Sequence, residues 1–207
     1  MKEIYFIRHG QTDYNKRRIV QGSGVDSDLN ETGKAQARAF FEAYQSVDFE
    51  VVFTSALKRT QQTVADFTAV GIPTEQRNQL NEMGWGDNEG RSANERDEAA
   101  YKAMTAAWHA GNIDASMPNG ETLRSLILRL TDFLEELKKR PESRILVCTH
   151  GRAMLCLLTL IHQQHPREME YYQHSNVGLY KFDFDGEQFS EKISNGRQHL
   201  EHLVTTK

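Results

Sequence analysis

The sequence predicts an α/β fold: a three-layer α/β/α domain with a mainly parallel central sheet and a small helical cap insertion. Three observations lead there. Apolar strand-like segments at 4–7, 50–53 and 144–148 each run into a polar cluster at their carboxyl end. Segments of helical periodicity lie between them, and strands alternating with helices give a parallel sheet covered on both faces. One stretch, about 84–119, breaks the alternation.

In chain order, the first strand stops at Arg8-His9-Gly10. Thr32 is placed to cap a helix running through Ala35, Ala39, Phe40 and Ala43. The second strand ends on Thr54-Ser55, where Ser55 is expected to cap a helix over 56–67 that carries Arg59 near its start. Between 121 and 140, Leu123, Leu126, Ile127, Leu130, Phe133, Leu134 and Leu137 recur at spacings of three and four and define one apolar face. Lys138, Lys139 and Arg140 suit the negative end of that helix, and Pro141 stops it. The third strand ends on Thr149-His150-Gly151, and the helix after it, 152–163, is apolar on most faces, as a buried helix is. Segments 177–184 and 187–193 flank Asp185-Gly186, a hairpin signal. The exceptional stretch holds a helical run at 92–110, rich in charge and alanine, then Gly111 and a Pro118-Asn119-Gly120 loop. It is expected to cover a site, since lids exclude water and select substrate. Trp85 and Trp108 either line the covered pocket or pack it. Residues 1–207 are expected to form a single domain carrying this insertion.

Composition bounds the function. Of 207 residues, 26% are charged and 38% hydrophobic, and a net charge of −4 gives no global attraction to nucleic acid or to an anionic membrane. Any anion site must therefore be a local concentration of cations. No apolar run approaches the ~18 residues of a membrane span, and the first apolar segment is too short for a signal peptide. Cys148 and Cys156 lie inside apolar segments and read as buried small residues without a disulfide, which points to a cytoplasmic protein.

In a doubly covered parallel sheet, ligands bind beyond the carboxyl ends of the strands. That rule brings Arg8, His9, Arg59 and His150 to one edge. Two guanidiniums can grip a phosphoryl group with forked, charge-assisted hydrogen bonds and neutralise charge that a metal would otherwise handle. A neutral imidazole is a competent nucleophile near neutral pH, so His9 is the candidate to form a phosphohistidine. His150, protonated among the anionic oxygens, would donate to the phosphate from the other side. The departing alkoxide needs a proton, which must later be taken from water, and a carboxyl group suits both steps. Glu82 is best placed for this, with Glu75, Glu89 and Glu95 nearby as competitors. Neither a metal nor another cofactor is expected, and the partner is a small phosphorylated substrate.

At this point the residues resemble a known family, the histidine phosphatase (phosphoglycerate mutase-like) superfamily. Ile7 to Asn15 is similar to its defining motif; Gln21-Gly22, Asp26 to Leu29, Gly33 and Gln36-Ala37 resemble the segment that follows. Ser55 to Thr60 with Gln62-Thr63, Leu80 to Glu82 with Gly86 and Glu89-Gly90, Gly120-Glu121, Val147 to Gly151, and Asn176, Asn195 and His199-Leu200 continue the likeness in order. The resemblance implies nucleophile His9, phosphate ligands Arg8, Arg59 and His150, and proton donor Glu82. It adds Asn15, Gln21, Gly22 and Gly151 to the phosphate- or substrate-binding set. The family commonly has proline and threonine where this chain has Asp28 and Asn30.

Simpler roles stand beside these. Asn15 could cap a turn, and Lys16-Arg17-Arg18 could be a solvated run, unless Arg17 or Arg18 reaches an anionic group of the substrate. Cys148 to Arg152 superficially resembles a cysteine-phosphatase loop, but that loop needs five residues between cysteine and arginine, and Cys148 falls within the strand. The pairs His162/His165 and His199/His202 lack carboxylates or thiols at ligand spacing. Among functions, hydrolysis of a phosphomonoester leads. A cofactor-dependent phosphoglycerate mutase would use the same His9, and a non-catalytic phosphate-binding module should have lost a catalytic residue. Oligomeric state, a homodimer included, stays open.

Overall fold

The computed structural model describes residues 1–92 and 94–204. In chain order they form β1 (Lys2–Arg8), α1 (Asp13–Lys16), α2 (Glu31–Tyr44), β2 (Val51–Thr54), α3 (Lys58–Thr63), α4 (Ala65–Ala69) and β3 (Thr74–Gln76). There follow α5 (Glu95–His109), α6 (Leu123–Lys139), β4 (Arg144–Thr149), α7 (Gly151–Ile161), β5 (Leu179–Phe184), β6 (Phe189–Gly196) and α8 (Glu201–Val204).

The six strands make one sheet in the order β3-β2-β4-β1-β5-β6. The first three pairings from the β3 edge are parallel, and β5 and β6 add an antiparallel hairpin on the other side of β1. Alternation along the strands builds two cores. Ile4, Phe6, Ile145 and Val147 face α6 and α7, whose buried residues include Leu126, Leu130, Phe133, Met154 and Leu158. Tyr5, Ile7, Leu146 and Cys148 face the opposite way, against Phe40 and Phe41 of α2 and Phe67 of α4. The three-layer reading of the sequence therefore holds, with α7 buried along most of its length.

Local details differ. The cap of α2 is Asn30, whose side chain accepts from the Gly33 N–H; Thr32 lies within the first turn. Ser55 caps no helix. The expected helix over 56–67 is broken into α3 and α4 at Val64, and the residue before α3 is Leu57, without a side-chain cap. Strand β3 was not expected: it is three residues of Thr-Glu-Gln on the sheet edge, without an apolar pattern. Helix α5 buries Met104 and Trp108 and has a reciprocal Asn94/Asp97 capping box. Between β3 and α6, the two ends of the stretch from Gly84 to Glu121 are joined: the Glu121 N–H donates to the Gly84 carbonyl (2.7 Å) and the Gly84 N–H to the Glu121 carboxylate (3.2 Å). Among the described residues no helix is long and apolar enough to cross a membrane.

Candidate active site

Register places the chemistry. Arg8, the last residue of β1, pairs with Thr149 at the end of β4, and Thr54 at the end of β2 pairs with Cys148. The polar residues that follow these strands therefore leave the sheet side by side. The His9 N–H still donates to the Thr149 carbonyl (3.0 Å), so the His9 and His150 backbones are held together by the ladder that built the sheet. Their ring centroids are 5.1 Å apart.

His9 is buried, and its Nδ1 is 2.7 Å from the Gly10 carbonyl oxygen. A carbonyl only accepts, so Nδ1 carries the proton and Nε2 keeps its lone pair. Burial, then the Arg8 and Arg59 charges, hold the His9 pKa well below 6.5, so the ring is neutral at neutral pH. Asn176 fixes the loop by donating to the His9 carbonyl (2.9 Å).

Arg59 is fully buried on α3. Its Nε–H donates to His150 Nδ1 (3.1 Å), and its terminal nitrogens donate to the carbonyls of Val25 (2.6 Å) and Gly22 (3.2 Å). Arg8 donates to Nδ1 of His174 (3.1 Å), and its buried Nε has no partner among the described residues. Burial lowers the Arg8 pKa to about 10, which leaves it charged at neutral pH. Every acceptor holding these two guanidiniums is neutral. Glu82 acts on both through space but hydrogen-bonds to neither, so no carboxylate takes up their donors.

His150 uses both ring nitrogens. With Nδ1 accepting from Arg59, the proton lies on Nε2, which donates to Ser55 Oγ (2.8 Å). Ser55 can pass its own proton to Thr60 Oγ1 (2.9 Å), whose hydroxyl donates to the Leu57 carbonyl (2.9 Å). With no anion beside it the ring is neutral: burial, then the Arg59 charge, keep its pKa well below 6.5. Ser55 thus matters as the partner of His150 and as an acceptor from the Leu57 N–H (3.1 Å).

Glu82 follows a short 3-10 turn, Asn78–Leu80, and is buried. Its carboxylate lies over the start of α7, accepting from the N–H groups of Arg152 (3.1 Å) and Ala153 (3.1 Å), and also from its neighbour Met83 (2.8 Å). These are donors that the first turn of a helix leaves unpaired. A Cβ on Gly151 would lie 2.9 Å from the His174 ring and 3.5 Å from the Glu82 carboxylate, so glycine there makes room for both. Of the competing acids, Glu75 is paired with Arg77 and Arg140, and Glu89 supports the Trp85 N–H. The side chain of Glu95 lies outside the described residues.

Asn15 completes a capping box with Thr12, and its Oδ1 also accepts from Asn176 (3.3 Å). Gln21 bonds Thr12 (2.8 Å) and Ser27 through its amide, while Gly22 contributes its carbonyl to Arg59. Lys16, Arg17 and Arg18 are exposed. Trp108 packs the core, its indole donating to the Ala115 carbonyl (2.8 Å); Trp85 lines a cavity of about 320 Å³ with Val20, Tyr101 and Met117. Cys148 and Cys156 are buried, unpaired thiols whose pKa values burial pushes up, that of Cys156 to about 12. His162 bonds Glu191 and His199 bonds the Val177 carbonyl.

Three contributors escaped the sequence reading. Arg129 donates to the carbonyls of Gln79 (2.6 Å), Asn81 (2.8 Å) and Glu82 (3.3 Å) and pairs with Glu121, holding the Glu82 loop from below. A signal existed: Arg129 falls three residues after Leu126 and four before Phe133, on the apolar stripe of α6. Arg152 faces the rings of Trp85, Tyr101 and Trp108 and pairs with Glu170. His174 lies in an irregular loop, with no pattern to mark it.

The sequence model of the Histidine phosphatase superfamily (branch 1) matches residues 4–195. The chain belongs to this superfamily. It is 30% identical over 206 residues to a protein of Bacillus subtilis named "Uncharacterized phosphatase PhoE", covering 99% of this chain and 100% of the other. It is also 32% identical over 167 residues to a "2,3-bisphosphoglycerate-dependent phosphoglycerate mutase" of Methylobacterium radiotolerans, covering 76% and 78%. In fold it matches the phosphoserine phosphatase of Entamoeba histolytica solved with 3-phosphoglyceric acid, with a TM-score of 0.82 at 22% identity over 97% of this chain and 100% of that one. Both hydrolases and a mutase of the superfamily thus share this framework.

Proposed function

We propose that the protein is a phosphomonoesterase that hydrolyses a small phosphorylated metabolite through a phosphohistidine on His9. The observation that carries this reading is the free Nε2 lone pair of a buried, neutral His9 beside two guanidiniums held only by neutral acceptors. In the first step His9 Nε2 forms a bond to phosphorus and the bond from phosphorus to the ester oxygen breaks. The Glu82 carboxyl group gives that oxygen its proton, and the alcohol leaves. In the second step water attacks phosphorus, Glu82 takes its proton, and the nitrogen–phosphorus bond breaks to release inorganic phosphate. Arg8 and Arg59 hold the equatorial oxygens throughout. A dianionic phosphoryl group beside His150 favours its protonation, which turns Nδ1 from acceptor to donor and frees the Arg59 Nε–H for the same oxygens.

The segment at about 84–119 acts as the cap over this pocket of a single domain, and the apolar Trp85–Tyr101 cavity belongs to the substrate side. The chemistry needs no metal, nucleic acid or membrane, and suits a cytoplasmic enzyme. The likeness to a phosphoglycerate mutase supports a second reading, in which phosphohistidine returns its phosphoryl group to the substrate. The test is labelling with a phosphorus-labelled phosphomonoester in excess chelator, quenched in alkaline detergent, where phosphohistidine survives. Label on His9 and phosphate release that vanishes in His9→Ala support the proposal; retained turnover in that variant refutes it. Isomerisation of 3-phosphoglycerate outpacing hydrolysis selects the mutase.

A further inference from the structure

Arg8 presents a physical problem. Its guanidinium lies near that of Arg59, burial already disfavours its charge, and no carboxylate hydrogen-bonds to it. A carboxylate would fix it best but would also compete with a phosphoryl group for the same donors. The partner present is the imidazole of His174, and a guanidinium N–H only donates, so Nδ1 of His174 must be the acceptor. The ring is half-buried and wedged against Gly151, where any side chain would strike it. Burial, then the Arg8 and Arg152 charges, bring the His174 pKa down to about 4, which keeps the acceptor lone pair available at neutral pH.

We infer that His174 is a positioning residue: its Nδ1 fixes one arm of the Arg8 guanidinium without neutralising it, leaving the partnerless Nε–H for an oxyanion. This rests on the reading of the Arg8, His9 and Arg59 pocket as a phosphate site. His174 touches no reacting atom. Its role is to spare the bound phosphate the cost of ordering Arg8, which is a contribution to affinity and orientation.

The test titrates inorganic phosphate into the full-length protein by calorimetry. His174→Asn keeps a neutral acceptor on a short side chain and is expected to bind within about threefold of the unaltered protein. His174→Leu removes the acceptor and is expected to weaken binding about tenfold, the scale of one hydrogen bond to a charged group. His174→Asp keeps an acceptor but adds a competing charge, and is expected to bind as weakly as the leucine variant. A double-mutant cycle separates positioning from packing. In an Arg8→Lys background the asparagine and leucine variants should differ by less than twofold. Equal phosphate affinity of His174→Leu and the unaltered protein would overturn the inference, as would a His174→Asn variant as weak as His174→Leu. If His174→Leu fails to fold, the asparagine and aspartate pair decides: equal affinities refute the inference. Failure of phosphate to bind the unaltered protein would instead overturn the phosphate-site reading itself, and this inference with it.

Discussion

Arg129→Met is the most informative single change away from the pocket. The guanidinium joins the carbonyls of Gln79, Asn81 and Glu82 to the Glu121 carboxylate, with Nε and Nη2 at 2.7 and 2.9 Å from its oxygens. Methionine keeps the stem on the apolar stripe of α6 but removes every donor. Breaking a buried ion pair by deleting one partner costs about 3–5 kcal/mol. The side chains of Arg129 and Glu121 are 19% and 17% exposed, so water relieves part of this and a loss of about 3 kcal/mol is expected. Adding Glu121→Gln removes the stranded charge while keeping an acceptor for the Gly84 N–H, and should restore about 1 kcal/mol. Urea unfolding followed by circular dichroism measures both, provided the slopes stay equal. The activity readout is separate. If Arg129 holds Glu82 in place, turnover of an alkyl phosphate, whose leaving group needs a proton, should fall about tenfold or more. A nitrophenyl phosphate, whose leaving group does not, should be affected much less. A stability loss below about 1 kcal/mol, or equal losses on both substrates, would refute this account of the Glu82 loop.

Other outcomes follow from the same geometry. His9, His150 and His174 have folded pKa values below 6.5, that of His174 about 4, so below 6.5 the unfolded chain binds more protons than the native one. Their contribution to stability is complete above pH 6.5 and is lost as pH falls towards the folded values. Scanning calorimetry should show Tm dropping between pH 6.5 and 4, less steeply in His174→Asn; a flat profile would contradict it. Gly33→Ala, which in an ordinary helix would stabilise by about 0.5–1 kcal/mol, places a Cβ 2.0 Å from the Gln11 carbonyl oxygen. It should instead cost more than about 1 kcal/mol, read from urea midpoints, and reduce turnover by displacing the loop after His9. The thiols of Cys148 and Cys156 should resist a disulfide reagent in the native protein and react fully in urea.

What the sequence disclosed follows from what patterns encode. Alternating and helical apolar periods mark burial, so the two-sided sheet, the α6 face and buried α7 were legible, and the strand-end rule carried Arg8, His9, Arg59 and His150 to one edge. Helix starts were less so, because capping depends on which side chain turns back: Asn30 took the place assigned to Thr32, and Ser55 turned towards His150. Strand β3 carries no apolar signal because its neighbours, not its side chains, make it a strand. The tautomer of His150 was also hidden, because it depends on the Arg59 Nε–H, whose alignment with the ring is tertiary. His174 comes from a loop far along the chain and has no period to announce it.

The junction of Gly84 with Glu121 has a consequence for how such a protein can change. A long excursion whose two ends are hydrogen-bonded to each other closes the same gap whatever its length, and the entropy of closing a loop grows only slowly with added residues. The stretch between them can therefore lengthen, shorten or be replaced without reregistering a strand, while the residues proposed to act on phosphorus stay where the sheet fixes them. The tethers that a replacement would have to respect include Arg152, which reaches from α7 to Tyr101 and Trp108 of α5, and the Val20 backbone, which bonds that of Gly90 and Arg91. Diversification of substrate and preservation of phosphoryl chemistry are, in this architecture, separable at a small set of backbone and side-chain contacts.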